Sequence, residues 1–341
     1  MIQLPEMRAT LPMEFDGIAT TTTEVWDMLM ASRDGDLARV RELVARNPVL
    51  VACKYNYIPP LHFAIRENHV DVAQFLIERG GVLPNYRSYP FLDTFATLAD
   101  DRGHGEIANM LAAFEQDPSL AAPCPAPGDG GEIKYNEDDT QVRFRKLVGG
   151  NSKNVLERLL PSVARHEVEA MLRERPALAL DEFQFWGEGI LMMPANMRDR
   201  DMVDLLLAHG AHVPDVSKWG AWYYFKHADM GEYLLQRGMN PNHMDWNRVT
   251  LLHDMAYTGD IAKARILLDH GADLNPIDEE YRSTPIGFAA RWGKREMVAF
   301  LLERGADPNL AQAPWATPLA WARKKGQTDI AGDLVRAGAR S

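Results

Sequence analysis

Residue types able to do acid–base, metal or nucleophilic chemistry are present but scattered. His243-Met244-Asp245-Trp246 and His253-Asp254 bring two imidazoles and two carboxylates into one short stretch, enough to build an acid/base pair. The plainer reading is that Asp245 holds a turn and Asp254 is solvated. His209 and His212 flank Gly210 and supply only two ligands, where a stable metal site takes three or four. His166-Glu167-Val168-Glu169-Ala170 begins like a zinc-protease helix, with alanine in place of the second histidine. Gly103-His104-Gly105-Glu106 reads on paper as a dinucleotide loop, but no strand precedes it. The sequence contains neither a Gly-x-Ser-x-Gly elbow nor a Gly-x4-Gly-Lys-Ser/Thr phosphate loop. Cys53 and Cys124 are too few for a disulfide framework and lack zinc spacing. The expectation is a chain with no catalytic centre, no cofactor and no metal.

Composition narrows the field further. At 341 residues the chain has length for roughly two domains, or one extended repeat array. Apolar residues make up 46% and charged residues 25%, an ordinary soluble balance that excludes disorder throughout. Acidic residues outnumber basic ones, 48 to 37, for a net charge of −11. A surface that tracks phosphates needs a basic excess, so nucleic acid is not expected as a partner. The N-terminus lacks a basic region followed by an apolar run, and no segment is long and apolar enough to span a membrane. A soluble, cytoplasmic protein with no membrane partner is expected; the oligomeric state stays open.

The elements that position these residues repeat. Thr250-Leu251-Leu252-His253, Thr284-Pro285-Ile286-Gly287 and Thr317-Pro318-Leu319-Ala320 recur at spacings of 34 and 33. Gly271-Ala272-Asp273, Gly305-Ala306-Asp307 and Gly338-Ala339 keep the same spacings. Upstream, Gly210 and Gly238 stand only 28 apart. Pro59-Pro60-Leu61-His62 and Ile77-Glu78-Arg79-Gly80 open and close a similar unit. Thr250, Thr284 and Thr317 can cap a first helix, with Pro285 and Pro318 at its first position. Gly259, Gly293 and Gly326 fall where the chain turns into a second helix, a place that favours positive φ. Neither helix is long enough to stand alone, so each unit must stack on neighbours.

This pattern resembles the ankyrin repeat family. The resemblance is sharp over 245–341 and 54–81, recognisable over 184–244 and 24–53, and weak at 87–114 and 141–180. It implies an all-α solenoid of helix-turn-helix units with short β-turn fingers, interrupted by a linker or insertion. It also implies that His62 and His253 hydrogen-bond the neighbouring turn. The expected organisation is an N-terminal extension (1–23), a first ankyrin segment (24–114), a Pro/Gly-rich acidic linker (115–140) and a second array (141–341). Within the second array, Ser152 through Leu160 and His166 through Arg173 read as helices of a degenerate unit. Two arrays, or one array with a bulging insertion, both fit. In the last unit Asp333 replaces the apolar residue of earlier second helices, so that unit is expected to cap the array at the C-terminus.

In the family's geometry, first-helix ends and finger tips face the concave surface. Along the second array these positions are Asn196-Met197, Tyr224-Phe225, Tyr257-Thr258, Arg291-Trp292 and Lys324-Lys325, with Phe185, Trp186, Trp246, Asn247, Glu280 and Tyr281 on fingers. Aromatics, Met and Arg are the types enriched in binding hot spots. The competing reading is packing: Trp219, Trp222 and Tyr223 can fill the gap left by the shortened unit. The expected function is a protein-binding scaffold, with Trp246, Tyr257, Trp292, Tyr224, Phe225, Tyr281, Met197 and Arg291 as partner contacts. Arg291 with Lys324 and Lys325 would favour an acidic or mixed segment. Two rivals remain: a small-molecule or enzymatic pocket at 216–254, lined by Trp219, Trp222, Tyr224, His243, Trp246 and His253, and an inhibitor that occludes a partner enzyme.

Overall fold

The computed structural model describes residues 1–128, 131–149 and 161–340. The helix expected from Ser152 to Leu160 lies outside the described residues. The chain forms two compact units: Pro5–Tyr135, and Asn136–Ser341 together with Met1–Leu4.

In the unit Pro5–Tyr135, helix α1 (Pro5–Arg8) leads into a hairpin of β1 (Pro12–Phe15) and β2 (Ile18–Thr21). Helices α2 (Thr22–Asp34), α3 (Leu37–Arg46), α4 (Pro60–Arg66), α5 (Val70–Glu78), α6 (Phe95–Arg102) and α7 (Gly105–Gln116) follow as pairs. Strand β3 (Glu132–Ile133) adds antiparallel to β1, giving the order β2-β1-β3. This small sheet differs from the expected extension and linker, and its cause is local. Asp16 and Gly17 both take positive φ, 47° and 82°, the backbone of a two-residue hairpin turn. Met13 and Phe15 alternate inward while Pro12 stays exposed, so one face of the hairpin is core.

The other unit carries α8 (Asp139–Val148), α9 (Pro161–Glu174), α10 (Gln184–Gly187), α11 (Met192–Met197), α12 (Arg200–Ala208), α13 (Gly220–Tyr223), α14 (Ala228–Leu235), α15 (Leu251–Thr258), α16 (Ile261–Asp269), α17 (Pro285–Arg291), α18 (Arg295–Glu303), α19 (Pro318–Lys324) and α20 (Thr328–Arg336). From α11 onward, first and second helices alternate. Gly259, Gly293 and Gly326 turn the pairs with φ of 81°, 68° and 70°, where any side chain would be strained. Thr250 and Thr317 cap their helices, whereas buried Thr284 makes no cap bond and Pro285 alone pre-sets the turn. Ile2 donates its N–H to the Trp246 carbonyl at 2.8 Å, so residues 1–4 belong to this unit. Asp333, in the last pair, accepts from Arg295 Nε at 2.6 Å.

One recurring bond ties first helices together. His253 Nε2 meets the carbonyl oxygen of Ser283, 3.2 Å away in the next unit. In that next unit the histidine slot holds Gly287, and Ser283 Oγ donates to the Ala316 carbonyl at 2.8 Å. The acceptor is the residue before the N-cap threonine in both cases. A short hydroxyl thus does at 283 what an imidazole does at 253, and the missing side chain of Gly287 makes room for it. A Cβ on Gly287 would collide with Ser283 Oγ. Helix propensity alone would favour Gly287→Ala by about 1 kcal/mol. Overpacking and loss of a buried hydrogen bond oppose it by roughly 1–3 kcal/mol. Urea unfolding of Gly287→Ala should therefore show a net loss of stability; a gain would mean that Ser283 moves without cost.

Candidate functional site

Helix ends and fingers of the second array place the expected aromatics in two environments. Trp246, Tyr224, Phe225 and Tyr281 are wholly buried and Arg291 nearly so; these five belong to the core, contrary to the expected contacts. Their surroundings explain why. Tyr281 is the hub of a ring cluster, edge-on to Phe288 at 5.2 Å, Trp292 at 5.2 Å and Trp321 at 6.1 Å. The Arg291 guanidinium lies 4.7 Å from the Tyr281 ring, 4.3 Å from Trp292 and 5.0 Å from Trp321, so cation–π contacts inside the repeat take up the cation expected at the edge.

Tyr224 and Phe225 close the shortened unit. Tyr224 Oη donates to the Glu188 carbonyl, and its ring lies 5.8 Å from His243. A Cβ on Gly220 would strike His243, and one on Gly231 would strike Phe225. Two glycines thus admit the His243 and Phe225 rings where 28 residues replace 33. Trp222, read as filler there, is instead 54% exposed.

The chemical groups are likewise held by structure. His243 Nδ1 lies 2.7 Å from the Pro214 carbonyl oxygen, which fixes the proton on that nitrogen and leaves Nε2 to accept from Ser217 Oγ at 2.9 Å. Burial depresses its pKa to about 4. This serine–imidazole pair has nucleophile-and-base geometry, yet Ser217 and His243 are both buried. Glu188, unmarked in the sequence reading, is buried beside them and accepts from the Lys218 and Trp219 N–H groups at 3.0 and 3.3 Å. Desolvation raises it to about 7. His253 accepts at Nδ1 from Thr250 at 3.1 Å, and burial depresses it to about 3. Asp245 accepts from Asn247 and Val249 N–H at 2.8 and 2.9 Å, holding its turn. Among the described residues neither histidine meets a carboxylate directly, so a pair of His243 or His253 with Asp245 or Asp254 is not assembled; Glu188 reaches His243 only through Ser217.

Exposure concentrates elsewhere. Trp186 is 59% exposed and Met197 42%. Trp186 sits in a left-handed turn, φ 62°, and its carbonyl accepts from Lys218 Nζ at 2.6 Å. Lys226 Nζ donates to Asn196 at 3.0 Å, joining the ends of adjacent first helices beside Met197. Tyr257 and Trp292 are half-buried and meet edge to face at 4.9 Å. One turn before Tyr257 lies Asp254, whose carboxyl has no hydrogen-bond partner among the described residues and is raised to about 7 by desolvation. The residue keeps part of its surface in water, so the solvation the sequence suggested is only partial. Asp278 is raised to about 7 as well, although it accepts from the Ser283 N–H at 3.0 Å.

A folded-state pKa above the unfolded value makes Asp254 neutral at no cost below about pH 4. That stability is lost as pH rises through 7, where the folded carboxyl must ionise while desolvated. Asp254→Asn should therefore stabilise the chain by about 1–3 kcal/mol at pH 8 and by close to nothing at pH 4. Denaturant midpoints at the two pH values measure this, and an equal effect at both would contradict it.

Comparison with known proteins matches this geometry. The family described as ankyrin repeats (3 copies) matches residues 218–312, and the single ankyrin repeat matches 56–89. The palmitoyltransferase ZDHHC17 of Rattus norvegicus is 32% identical over 109 residues, 30% of this chain and 17% of that protein. The ARF GTPase-activating protein Git of Drosophila melanogaster is 35% identical over 86 residues, 25% of this chain and 12% of its own length. The probable E3 ubiquitin-protein ligase XBOS33 of Oryza sativa is 34% identical over 91 residues, 26% and 17% of the two chains. The chain thus spans less than a fifth of these relatives, whose names describe unrelated activities. No described helix is long and apolar enough to cross a membrane. With their repeat spacing, helix caps and unit-to-unit hydrogen bonds, residues 56–89 and 218–312 are similar to ankyrin repeats.

Proposed function

We propose that this protein is a scaffold that binds a partner protein through first-helix ends and fingers of its second array. Ankyrin repeats are in general protein-interaction units, and solenoids of this kind use extended surfaces for binding. The observation that carries the reading is the exposure of Trp186, Trp222 and Met197. Large apolar side chains left in water mark interaction surfaces more often than they mark loose packing. Tyr257 and Trp292, half-buried and in mutual contact, extend the same row. Of the contacts expected from sequence, the proposal keeps Met197, Tyr257 and Trp292 and adds Trp186 and Trp222. A cytoplasmic location suits this reading.

The test is affinity capture with the full chain beside a Trp186→Ser/Trp222→Ser variant. Both side chains are exposed, so the variant should keep the parent's circular dichroism and melting temperature. Each hot-spot aromatic removed costs about 1–4 kcal/mol, so a partner held by the parent should be lost. A partner retained equally by both proteins would place the interface elsewhere.

A further inference from the structure

The second helices carry a motif that the concave-face reading does not use. Phe75, Tyr233 and Phe300 each stand six residues after the N-cap of their helix, and an arginine stands four residues later, as Arg79, Arg237 and Arg304. Each arginine lies over its ring, at 5.3, 3.3 and 5.1 Å. A second arginine from the preceding unit approaches the same ring: Arg41 on Phe75 at 5.5 Å, Arg200 on Tyr233 at 4.7 Å, and Arg265 on Phe300 at 5.1 Å. Two cations on one ring need a counter-charge, and the second array supplies it. Asp269 accepts from Arg304 at 3.0 Å. Asp204 accepts from Arg237 at 2.7 Å and from the Tyr233 hydroxyl at 2.6 Å.

The first array lacks this acid. Counting from the N-caps Asp36, Asp199 and Asp260, the place of Asp204 is held by Arg41 and the place of Asp269 by Ala45. Neither Arg41 nor Arg79 has a carboxylate within ion-pair distance among the described residues. Glu78, which also lines the groove at this place, accepts from Gln74 Nε2 at 2.8 Å. The same place is hollow. A groove of about 750 Å³ opens there, lined by Val44, Ala45, Pro48, Phe75, Pro123 and Pro125 as well as by the two arginines and Glu78.

We propose that this groove binds an acidic segment of a partner protein, whose carboxylate takes the place that Asp269 holds in the second array. Guanidinium groups are suited to planar, two-pronged recognition of carboxylates. The proline and valine walls give a neighbouring apolar side chain of the segment a dry surface. Charge complementarity selects the occupant: two arginines and an aromatic ring, against a single glutamate that Gln74 already engages. The intramolecular pairs at Phe300 and Tyr233 show how the same arrangement looks when filled.

The probe is a fluorescein-labelled peptide, Gly-Ser-Glu-Leu-Glu-Gly-Ser, titrated by fluorescence anisotropy against the full chain, with its Gln-for-Glu counterpart as control. Saturable binding of the acidic peptide is expected. It should weaken at least about fivefold in Arg79→Gln, the loss of one charge-assisted contact, and remain unchanged in Arg304→Gln. Ala45→Asp restores the internal carboxylate; it should abolish binding while keeping or raising the melting temperature, so loss of binding cannot be mistaken for unfolding. Absent binding, equal binding of the glutamine peptide, or full binding by Ala45→Asp would overturn the proposal. So would displacement by inorganic phosphate at the same concentration as unlabelled peptide, which would mark a small-anion site.

Discussion

Two joints of the second array are fixed by a backbone oxygen that cannot reach water. The carbonyl before the N-cap threonine, at Ser283 and at Ala316, is buried at the joint between units and needs donors inside the protein; the Ser283 oxygen also accepts from the Asp278 N–H at 3.2 Å. The preceding unit provides a side-chain donor across the joint, His253 of its first helix in one case and Ser283 Oγ, just before the first helix, in the next. The helices are too short to persist alone, so these bonds and the packed faces around them decide the register of every finger. Burial then makes the imidazole a permanent neutral donor. His253 and His243 are held far below the pH range in which free histidine titrates, which turns two candidate catalytic groups into fixed pieces of backbone support.

The rings obey the same constraint. Tyr281, Trp321 and Trp246 fill the space between successive first helices and fingers, and Arg291 enters that space because its flat guanidinium stacks where an ammonium would stay hydrated. The second helices show the complementary case, with arginines on the rings of Tyr233 and Phe300 balanced by aspartates of the neighbouring unit. Ring and cation pairing thus recurs on both layers of the stack. What differs between copies is where the negative charge comes from.

The repeat was legible because its signals are local: Thr and Pro at helix starts, Gly at positive φ, apolar residues at helical spacing. The Asp16-Gly17 hairpin was equally legible, as a dipeptide that requires positive φ at both residues, but it lay in a stretch read as an extension. The burial of Trp246 and Tyr281 was not legible. Family geometry places a finger residue near the inner surface, whereas which way its side chain turns depends on rings from two other units. Trp222 failed in the opposite direction, since the gap it was expected to fill is taken by His243 against Gly220 and by Phe225 against Gly231. Glu188 and Ser217 carry no pattern of their own; only the fold brings them to His243. Asp254 looked solvated because nothing in its sequence neighbourhood reveals that its carboxyl is desolvated.

The account turns on dividing one aromatic row into core and surface, and hydroxyl-radical footprinting of the native full chain tests that division most directly. Trp186 and Trp222 should be oxidised quickly, Trp292 more slowly, and Trp246 and Trp321 only on unfolding. Oxidation of Trp246 as fast as that of Trp186 in the native protein would contradict the division, and with it the surface assigned to a partner.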